Sequence, residues 1–220
     1  MPQNLVRTAV AVLLGASVLM ASARTVDAGD PSLVVRLYDT SDATSDIRSA
    51  AIQTAAAIVS EAGVAAEWRD CTNDSTTVRC QSVPGRRDLI VRIMPEVSPG
   101  STFRRSSVQL HTTSGEISLP LGIAVIDPVS LVGEMATIFH EQVRTIARQS
   151  GVDNAELLGR AVAHEIGHLL LRARSHSRTG LMRGAWSRED LMRNRREDWV
   201  FSPVDRQKLQ LGAAARAAAR

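Results

Sequence analysis

The run His164-Glu165-Ile166-Gly167-His168 constrains the fold of this chain more than any other part of its sequence. Residues four positions apart on an α-helix lie about 40° apart around its axis, so the two imidazoles point the same way. Apolar residues cover most of the remaining circumference of this segment, which predicts a buried helix whose histidines face a cleft. The rest of the chain must therefore enclose this helix on nearly every side.

The same five residues have the chemistry of a zinc site. One helical turn can supply two imidazole ligands to a single ion, and a third ligand then comes from elsewhere in the chain. A lone buried histidine is more often a core residue, but here two histidines bracket Glu165. A buried carboxylate without a partner is costly, and water at a metal ion would supply that partner. The pattern favours one Zn²⁺ per chain, bound by His164 and His168.

The beginning of the chain predicts export. Arg7 precedes the apolar segment 8–20, and Ala21-Ser22-Ala23 offers small residues for cleavage. This order of charge, apolar run and small residues is typical of a secretory signal, so residues 1–23 are interpreted as a signal peptide. The mature protein is then expected to be secreted or periplasmic, without stable membrane association. An uncleaved membrane anchor is the alternative.

Residues 24–220 are sufficient for a single domain with its own core, and 212–220 read as a low-complexity Ala/Arg tail. The net charge is only +3, and the basic residues are scattered without interleaved aromatic residues, so nucleic-acid binding is not expected.

Cys71 and Cys80 are the two cysteines of the chain. In an exported protein such a pair is most simply a disulfide.

Hydrophobic periodicity predicts strands and helices in alternation before the motif helix. A strand, a helix closed by Gly63 and a second strand follow one another within about 35 residues, which predicts a right-handed crossover between parallel strands. The predicted segments are strands at 33–38, 64–68, 88–94, 108–110, 122–126 (an edge strand) and 135–139, and helices at 47–62, at 140–149, from Asp153 and from Ser202.

The motif and the residues after it resemble the metzincins, most closely the matrixin type. The resemblance rests on His164-Glu165-x-Gly167-His168, His176-Ser177 and Gly180-Leu181-Met182. It implies three zinc ligands, a general base and a methionine in a turn beneath the metal. By this resemblance, His164, His168 and His176 would be the zinc ligands. Glu165 would be the general base, and Met182 would be the methionine of the turn. It also implies that an extended peptide substrate pairs with the edge strand at 122–126.

The spacing departs from that family at the third ligand. Leu171 stands at the position of the family's glycine, Arg174 stands at the position of its third histidine, and His176 follows two residues later. A motif helix that runs slightly further before the chain turns back would accommodate this spacing. Glu189 is the alternative third ligand, although Ser187 also predicts that Glu189 lies in the first turn of a capped helix.

Two other histidines are not expected to bind the catalytic metal. His140-Glu141 repeats the start of the motif, but Arg144 stands where the second histidine should be. His111 stands alone in a polar segment and is expected to be solvated.

The sequence predicts an α+β fold of the zincin type. It would contain a mixed, mainly parallel twisted sheet with an antiparallel edge strand, packed on a crossover helix and the active-site helix, and a small helical C-terminal part. The predicted function is an exported zinc endopeptidase that acts on proteins or peptides with Glu165 as general base. A zinc hydrolase of other specificity, such as a cell-wall amidase, and an interaction protein with a vestigial zinc site are the alternatives.

Overall fold

The computed structural model describes residues 33–72, 78–96, 120–127, 129 and 133–218. The predicted signal peptide, the predicted strand at 108–110 and His111 lie outside these ranges. Within them, no helix combines the length and the apolar character that crossing a membrane requires.

The described residues form five strands, six α-helices and one short 3-10 helix. The strands are β1 (Leu33–Asp39), β2 (Ala66–Asp70), β3 (Asp88–Met94), β4 (Gly122–Ile126) and β5 (Gly133–Phe139). The helices are α1 (Ser45–Glu61), α2 (Val78–Gln81), α3 (His140–Ser150), α4 (Asn154–Leu171), α5 (Arg188–Arg193), the 3-10 helix Arg196–Asp198 and α6 (Pro203–Ala218).

The five strands form one sheet in the order β2-β1-β3-β5-β4. The pairs β1–β2, β1–β3 and β3–β5 are parallel, whereas β4 pairs antiparallel with β5 at one edge. The prediction of a mainly parallel mixed sheet is confirmed. The α1 helix connects β1 to β2, which are neighbours in the sheet, as a parallel pair requires.

Strand β2 begins two residues later than the sequence predicts. Gly63 adopts a left-handed conformation with φ of 78°. The N–H of Val64 donates to the carbonyl of Val59 at 3.3 Å. Because residues 62–64 complete the end of α1 in this way, the strand starts only at Ala66.

Helix α4 is buried along almost its whole length, as its apolar circumference predicts. Ala155 and every residue from Leu157 to Leu170 are buried. Helix α4 packs against α1, α3 and α6 and against strands β4 and β5. Gly159 permits the close approach to α1, since a Cβ at this position would lie 2.6 Å from the carbonyl oxygen of Ala51.

Helix α6 extends further than the sequence predicts. Residues 212–218 continue this helix instead of forming a tail, and Ala213 and Arg216 are buried. Gly212 lies against the carbonyl oxygen of Leu170, where a larger residue would clash. The contact with α4 and the high helix propensity of alanine together explain the extension.

The disulfide between Cys71 and Cys80 is present and connects the end of β2 to α2. The prediction of this pairing is confirmed. Arg36 of β1 fastens the segment after α2, donating to the carbonyl of Ser82 and to the carboxylate of Asp88, both at 2.6 Å.

Candidate metal centre

Helix α4 places His164 and His168 on one buried face. The carboxylate of Asp153 caps the helix by accepting from the N–H of Glu156 at 2.9 Å, as the sequence predicts. Neither imidazole has any exposed surface. The Nε2 atoms of the two rings lie 3.0 Å apart.

Backbone carbonyls fix the orientation of both rings. The Nδ1 atom of His164 lies 2.8 Å from the carbonyl oxygen of Leu181, and that of His168 lies 2.8 Å from the carbonyl oxygen of Ala173. A carbonyl oxygen can only accept, so each Nδ1 must carry the proton. Each Nε2 of a neutral ring then presents a lone pair, and the two lone pairs face each other.

His176 completes the cluster from the segment after α4. Its ring centroid lies 5.5 Å from that of His164 and 4.9 Å from that of His168. One nitrogen from each of the three rings can be chosen so that all lie within 4.8 Å of one another. The three imidazoles therefore form a set of ligands suited to one zinc ion.

The alternative ligand Glu189 lies elsewhere. Its side chain is 76% exposed and pairs with Arg193 at 3.4 Å. Ser187 caps α5 in a capping box with Asp190, as its sequence pattern predicts. The structure thus brings His176, and not Glu189, to the two histidines of α4.

The chain turns back from α4 at Arg172. This residue adopts the left-handed conformation, with φ of 53° and ψ of 33°, directly after Leu171. The turn that the metzincin pattern assigns to glycine thus occurs one residue later and without glycine. The helix thus runs one residue further before the chain turns back, and the segment after it brings His176, not Arg174, to the two histidines of α4.

Glu165 is buried between α4 and the edge strand β4. It is 1% exposed, and neither of its carboxylate oxygens has a well-formed hydrogen bond to any described residue. A Cβ on Gly122 would lie 2.8 Å from Cγ of Glu165, so glycine provides the space for this side chain. Burial raises the pKa of Glu165 well above its usual range, and the nearby N–H of Ala124 opposes this shift.

Burial also keeps the three histidines neutral. Desolvation, together with the neighbouring His168, lowers the pKa of His164 well below its usual range. Desolvation lowers the pKa of His168 to about 4 and lowers that of His176. Neutral imidazole is the form that binds a metal, so these rings are ready to act as ligands near neutral pH.

Met182 lies beneath the motif helix. It is fully buried, and a Cβ on Gly167 would lie 2.5 Å from its Sδ atom. The carbonyl of Met182 accepts from the N–H of Ser177 at 2.8 Å. Met182 thus lies in a turn that is hydrogen-bonded to Ser177, the residue after His176, and it packs against α4 at Gly167.

Two supporting residues were not identified from the sequence. The ring of Trp186 is fully buried and packs edge-on to His164, with 5.6 Å between the centroids. Asp205 of α6 accepts from the hydroxyl of Ser177 at 2.8 Å. The pattern Ser202-x-x-Asp205 does signal a helix start, but nothing in the sequence places that start beside His176.

The contacts of His140 are those of a residue that supports the fold, and the sequence likewise predicts that it is not a ligand of the catalytic metal. It is 1% exposed, and its Nδ1 lies 3.0 Å from a carboxylate oxygen of Asp42. Its Nε2 lies 3.1 Å from the side-chain amide nitrogen of Asn154. These contacts join the loop after β1 to the ends of α3 and α4.

Comparisons with known proteins give limited similarity. No protein-family model matches the sequence, and no match is found among curated proteins. A zinc-dependent peptidase from Methanocorpusculum labreanum (strain Z) is similar in structure, with a TM-score of 0.47 and 12% identity over 80% of this chain and 99% of the other. Archaemetzincin from Methanopyrus kandleri is similar with a TM-score of 0.47 and 15% identity, over 83% of this chain and 96% of the other. Likeness at this level assigns no function to the present chain.

Proposed function

We propose that this protein is an exported zinc-dependent endopeptidase that holds one zinc ion per chain. The observation that carries the proposal is the 3.0 Å separation between the Nε2 atoms of His164 and His168. Two buried lone pairs at this distance repel each other unless a cation lies beside them. Imidazole nitrogens are preferred zinc ligands, and three protein ligands leave one position open for chemistry.

His176 is proposed as the third ligand. Its ring nitrogens come within reach of the other two, and it is less buried than either, so it would close the site on its solvent side. The carbonyls of Leu181 and Ala173 hold the first two rings with Nε2 toward the site. Hydrogen bonds of this kind from the second ring nitrogen fix the orientation of metal-binding histidines.

Glu165 is proposed as the general base. A bound zinc ion would polarise the substrate carbonyl and lower the pKa of water at the site. Glu165 is next to the ligands in sequence, and its carboxylate has no competing well-formed hydrogen bond among the described residues. The charge of a bound zinc ion would favour the ionised carboxylate over the protonated form that burial favours, so Glu165 could accept a proton from the attacking water and pass it to the leaving amine.

The outer edge of β4 is proposed to bind the peptide. The N–H of Phe139 donates to the carbonyl of Leu121 at 2.9 Å, and this sets the alternation of the β4–β5 ladder. In an antiparallel pair the backbone groups of Gly122 and Ala124 then point away from β5. Because these residues adjoin Glu165, a peptide that pairs with this edge would pass beside the base.

Export is proposed from the sequence of residues 1–23. The charge at Arg7, the apolar run and the small residues before Arg24 support cleavage after Ala23. Sequencing the N-terminus of the exported protein tests this point. A first residue of Arg24 is expected, and a chain that retains Met1 in the membrane fraction would indicate an anchor.

Elemental analysis of single variants tests the metal site. We expect one zinc ion per wild-type chain, no zinc in His164→Ala or His168→Ala, and sharply weaker binding in His176→Ala. The matched control is His140→Ala, which removes a buried histidine of the adjacent helix α3 that faces Asp42. This control and Glu189→Ala should retain zinc.

The same preparations test the reaction. Zinc-loaded wild type should cleave unstructured protein substrates such as casein, and removal of zinc should abolish cleavage. Wild type that binds no zinc would refute the site. Zinc-loaded protein that cleaves peptidoglycan fragments but no protein would identify the cell-wall hydrolase instead.

A further inference from the structure

We propose that Arg174 binds a carboxylate of the peptide substrate and so makes this protein selective for peptides that present a carboxylate to it. This inference rests on the proposed function and specifies its substrate class. The starting observation is a contact between the segment after α4 and the end of β4. The Nη2 atom of Arg174 donates to the carbonyl oxygen of Ile126, at the end of β4, at 3.1 Å.

The backbone before Arg174 is fixed to the metal cluster. The carbonyl of Ala173 accepts from His168 at 2.8 Å, and Arg172 ends α4 in the left-handed conformation. His176 follows Arg174 by two residues. The guanidinium of Arg174, an exposed residue, therefore lies at the end of the edge strand, on a segment whose backbone contacts the candidate ligand His168.

Arg174 lies at the end of β4, the edge strand of the described sheet. A peptide that pairs with the outward groups of Gly122 and Ala124 would next reach Ile126, but the carbonyl of Ile126 is already engaged by Arg174. Beside Ile126, the peptide would therefore contact the permanently charged guanidinium of Arg174 instead of a backbone acceptor. A guanidinium has five N–H donors, so the contact with Ile126 leaves donors for a carboxylate.

Among the described residues, no carboxylate forms an ion pair with Arg174. Residues 166–188 contain five arginines and neither aspartate nor glutamate. Among the described residues, Arg183 is paired with Asp190 and Asp198, whereas Arg172, Arg174 and Arg178 form no ion pair with a described carboxylate.

Asp127 directly follows Ile126, and its Oδ1 accepts from the N–H of Val129 at 3.0 Å. The segment that carries His176 is thus a positively charged rim, which favours anionic ligands. A carboxylate could come from an acidic side chain or from the C-terminus of a peptide, and both have the same chemistry.

Binding of matched peptides tests the inference without relying on turnover. Fluorescein-labelled eight-residue Ala/Leu peptides would be made in pairs, with glutamate or glutamine at one position and with a free or amidated C-terminus. Their dissociation constants are measured by anisotropy on zinc-loaded Glu165→Gln protein, which should bind without cleaving. We expect about tenfold tighter binding of one carboxylate peptide over its neutral partner, with a smaller preference in high salt.

Which pair shows the preference identifies the source of the carboxylate. A preference for glutamate indicates an acidic side chain, and a preference for the free C-terminus indicates a carboxypeptidase-like mode. In the Arg174→Gln background the preference should disappear, and in Arg174→Lys it should be partly restored. The matched control is Arg188→Gln, since Arg188 also donates to one distant carbonyl, that of Gln149 at 3.2 Å. This control should keep the full preference.

The outcomes separate the two proposals. Equal binding of all charged and neutral partners by zinc-loaded protein overturns the role of Arg174 but leaves the peptidase assignment intact. A preference that survives in Arg174→Gln also overturns it. Wild type without zinc and without cleavage refutes the proposed function itself. The pairs of peptides already test selectivity on protein with Arg174 intact, so a poorly folded Arg174 variant would not decide the result.

Discussion

The hydroxyl of Ser177 lies 2.8 Å from Oδ1 and 2.9 Å from Oδ2 of Asp205. Asp205 is 4% exposed, and it also accepts from the hydroxyl of Ser202 at 2.7 Å. Ser177 directly follows His176, the candidate third ligand. One carboxylate at the start of α6 therefore fixes the position of the chain on which this ligand depends.

Replacing Asp205 should weaken both the fold and the metal site. In Asp205→Ala the hydroxyls of Ser177 and Ser202 lose their acceptor, which costs about 2–3 kcal/mol of unfolding free energy. The segment with His176 also becomes less restrained. We expect faster zinc release from this variant, measured with a chromogenic chelator, and a lower urea midpoint for the metal-free protein.

The control for this experiment is Asp46→Ala, which removes an acidic residue from the first turn of α1 instead of α6. It should lower stability slightly and leave zinc release unchanged. If Asp205→Ala lowered stability but released zinc at the wild-type rate, Asp205 would support the fold alone and not His176.

Arg172→Gly should stabilise the protein. A left-handed conformation costs about 1–2 kcal/mol for a residue with a side chain, whereas glycine adopts it freely. Part of this gain is offset by the greater entropy of glycine in the unfolded chain, so we expect the unfolding free energy to increase by about 1 kcal/mol. Urea unfolding of metal-free protein measures it, and Arg172→Ala should give no comparable gain.

Asn194 provides a comparison at a second helix end, with φ of 45° after α5. Asparagine tolerates the left-handed conformation better than arginine, and its Oδ1 accepts from the buried Arg160 at 2.6 Å, so Asn194→Gly should lower the unfolding free energy. If Arg172→Gly lowered the unfolding free energy, a native interaction of the Arg172 side chain would outweigh the relief of backbone strain.

The motif helix and the sheet could be predicted because their signals are local. The spacing of His164 and His168 and the apolar residues around them place both imidazoles on one buried face. Alternating apolar segments likewise predict β1, β3, β4 and β5 close to their observed positions. Hydrophobic periodicity and composition are properties of neighbouring residues, so these predictions depend little on contacts between distant parts of the chain.

The features that the sequence did not reveal depend on contacts between distant segments. Arg172 takes a conformation for which glycine is the usual signal, so the longer turn before His176 could be inferred only from spacing. Asp205 lies 28 residues after Ser177, and nothing local marks that contact. Gly212 reads as the end of a helix but serves a close contact with Leu170, because packing outweighs its low propensity.

Metal-free protein should lose stability as the pH falls from 7 to 5. The unfolded chain protonates its histidines near pH 6.5, whereas burial delays protonation of His168 in the folded protein until about pH 4. Between these values the unfolded state binds more protons, so the unfolding free energy decreases on acidification. His168 alone contributes about 2 kcal/mol over this range, and His164 acts in the same direction.

Glu165 has the opposite effect on the unfolding free energy, which it increases as the pH falls. Burial raises its pKa, so the unfolded chain loses this proton more readily than the folded protein does. The measurement is therefore urea unfolding of metal-free Glu165→Gln protein at pH 7, 6 and 5. Adding His168→Asn should remove about 2 kcal/mol of the dependence. An unfolding free energy that stays constant from pH 7 to 5 would contradict the lowered pKa values of the cluster.

Glu165→Gln should separate metal binding from catalysis. The amide has nearly the same shape as the carboxylate and leaves the three histidines untouched, so one zinc ion per chain should remain. A neutral amide cannot accept a proton from water, so peptide cleavage should fall by about 10²–10⁴-fold.

The matched control is Glu141→Gln, which alters the glutamate after His140, where the side chain pairs with Arg144 and Arg148. The control should keep both zinc and activity. Full activity in Glu165→Gln would exclude Glu165 as the base even with zinc in place, whereas loss of zinc from it would mean that the carboxylate helps to hold the metal.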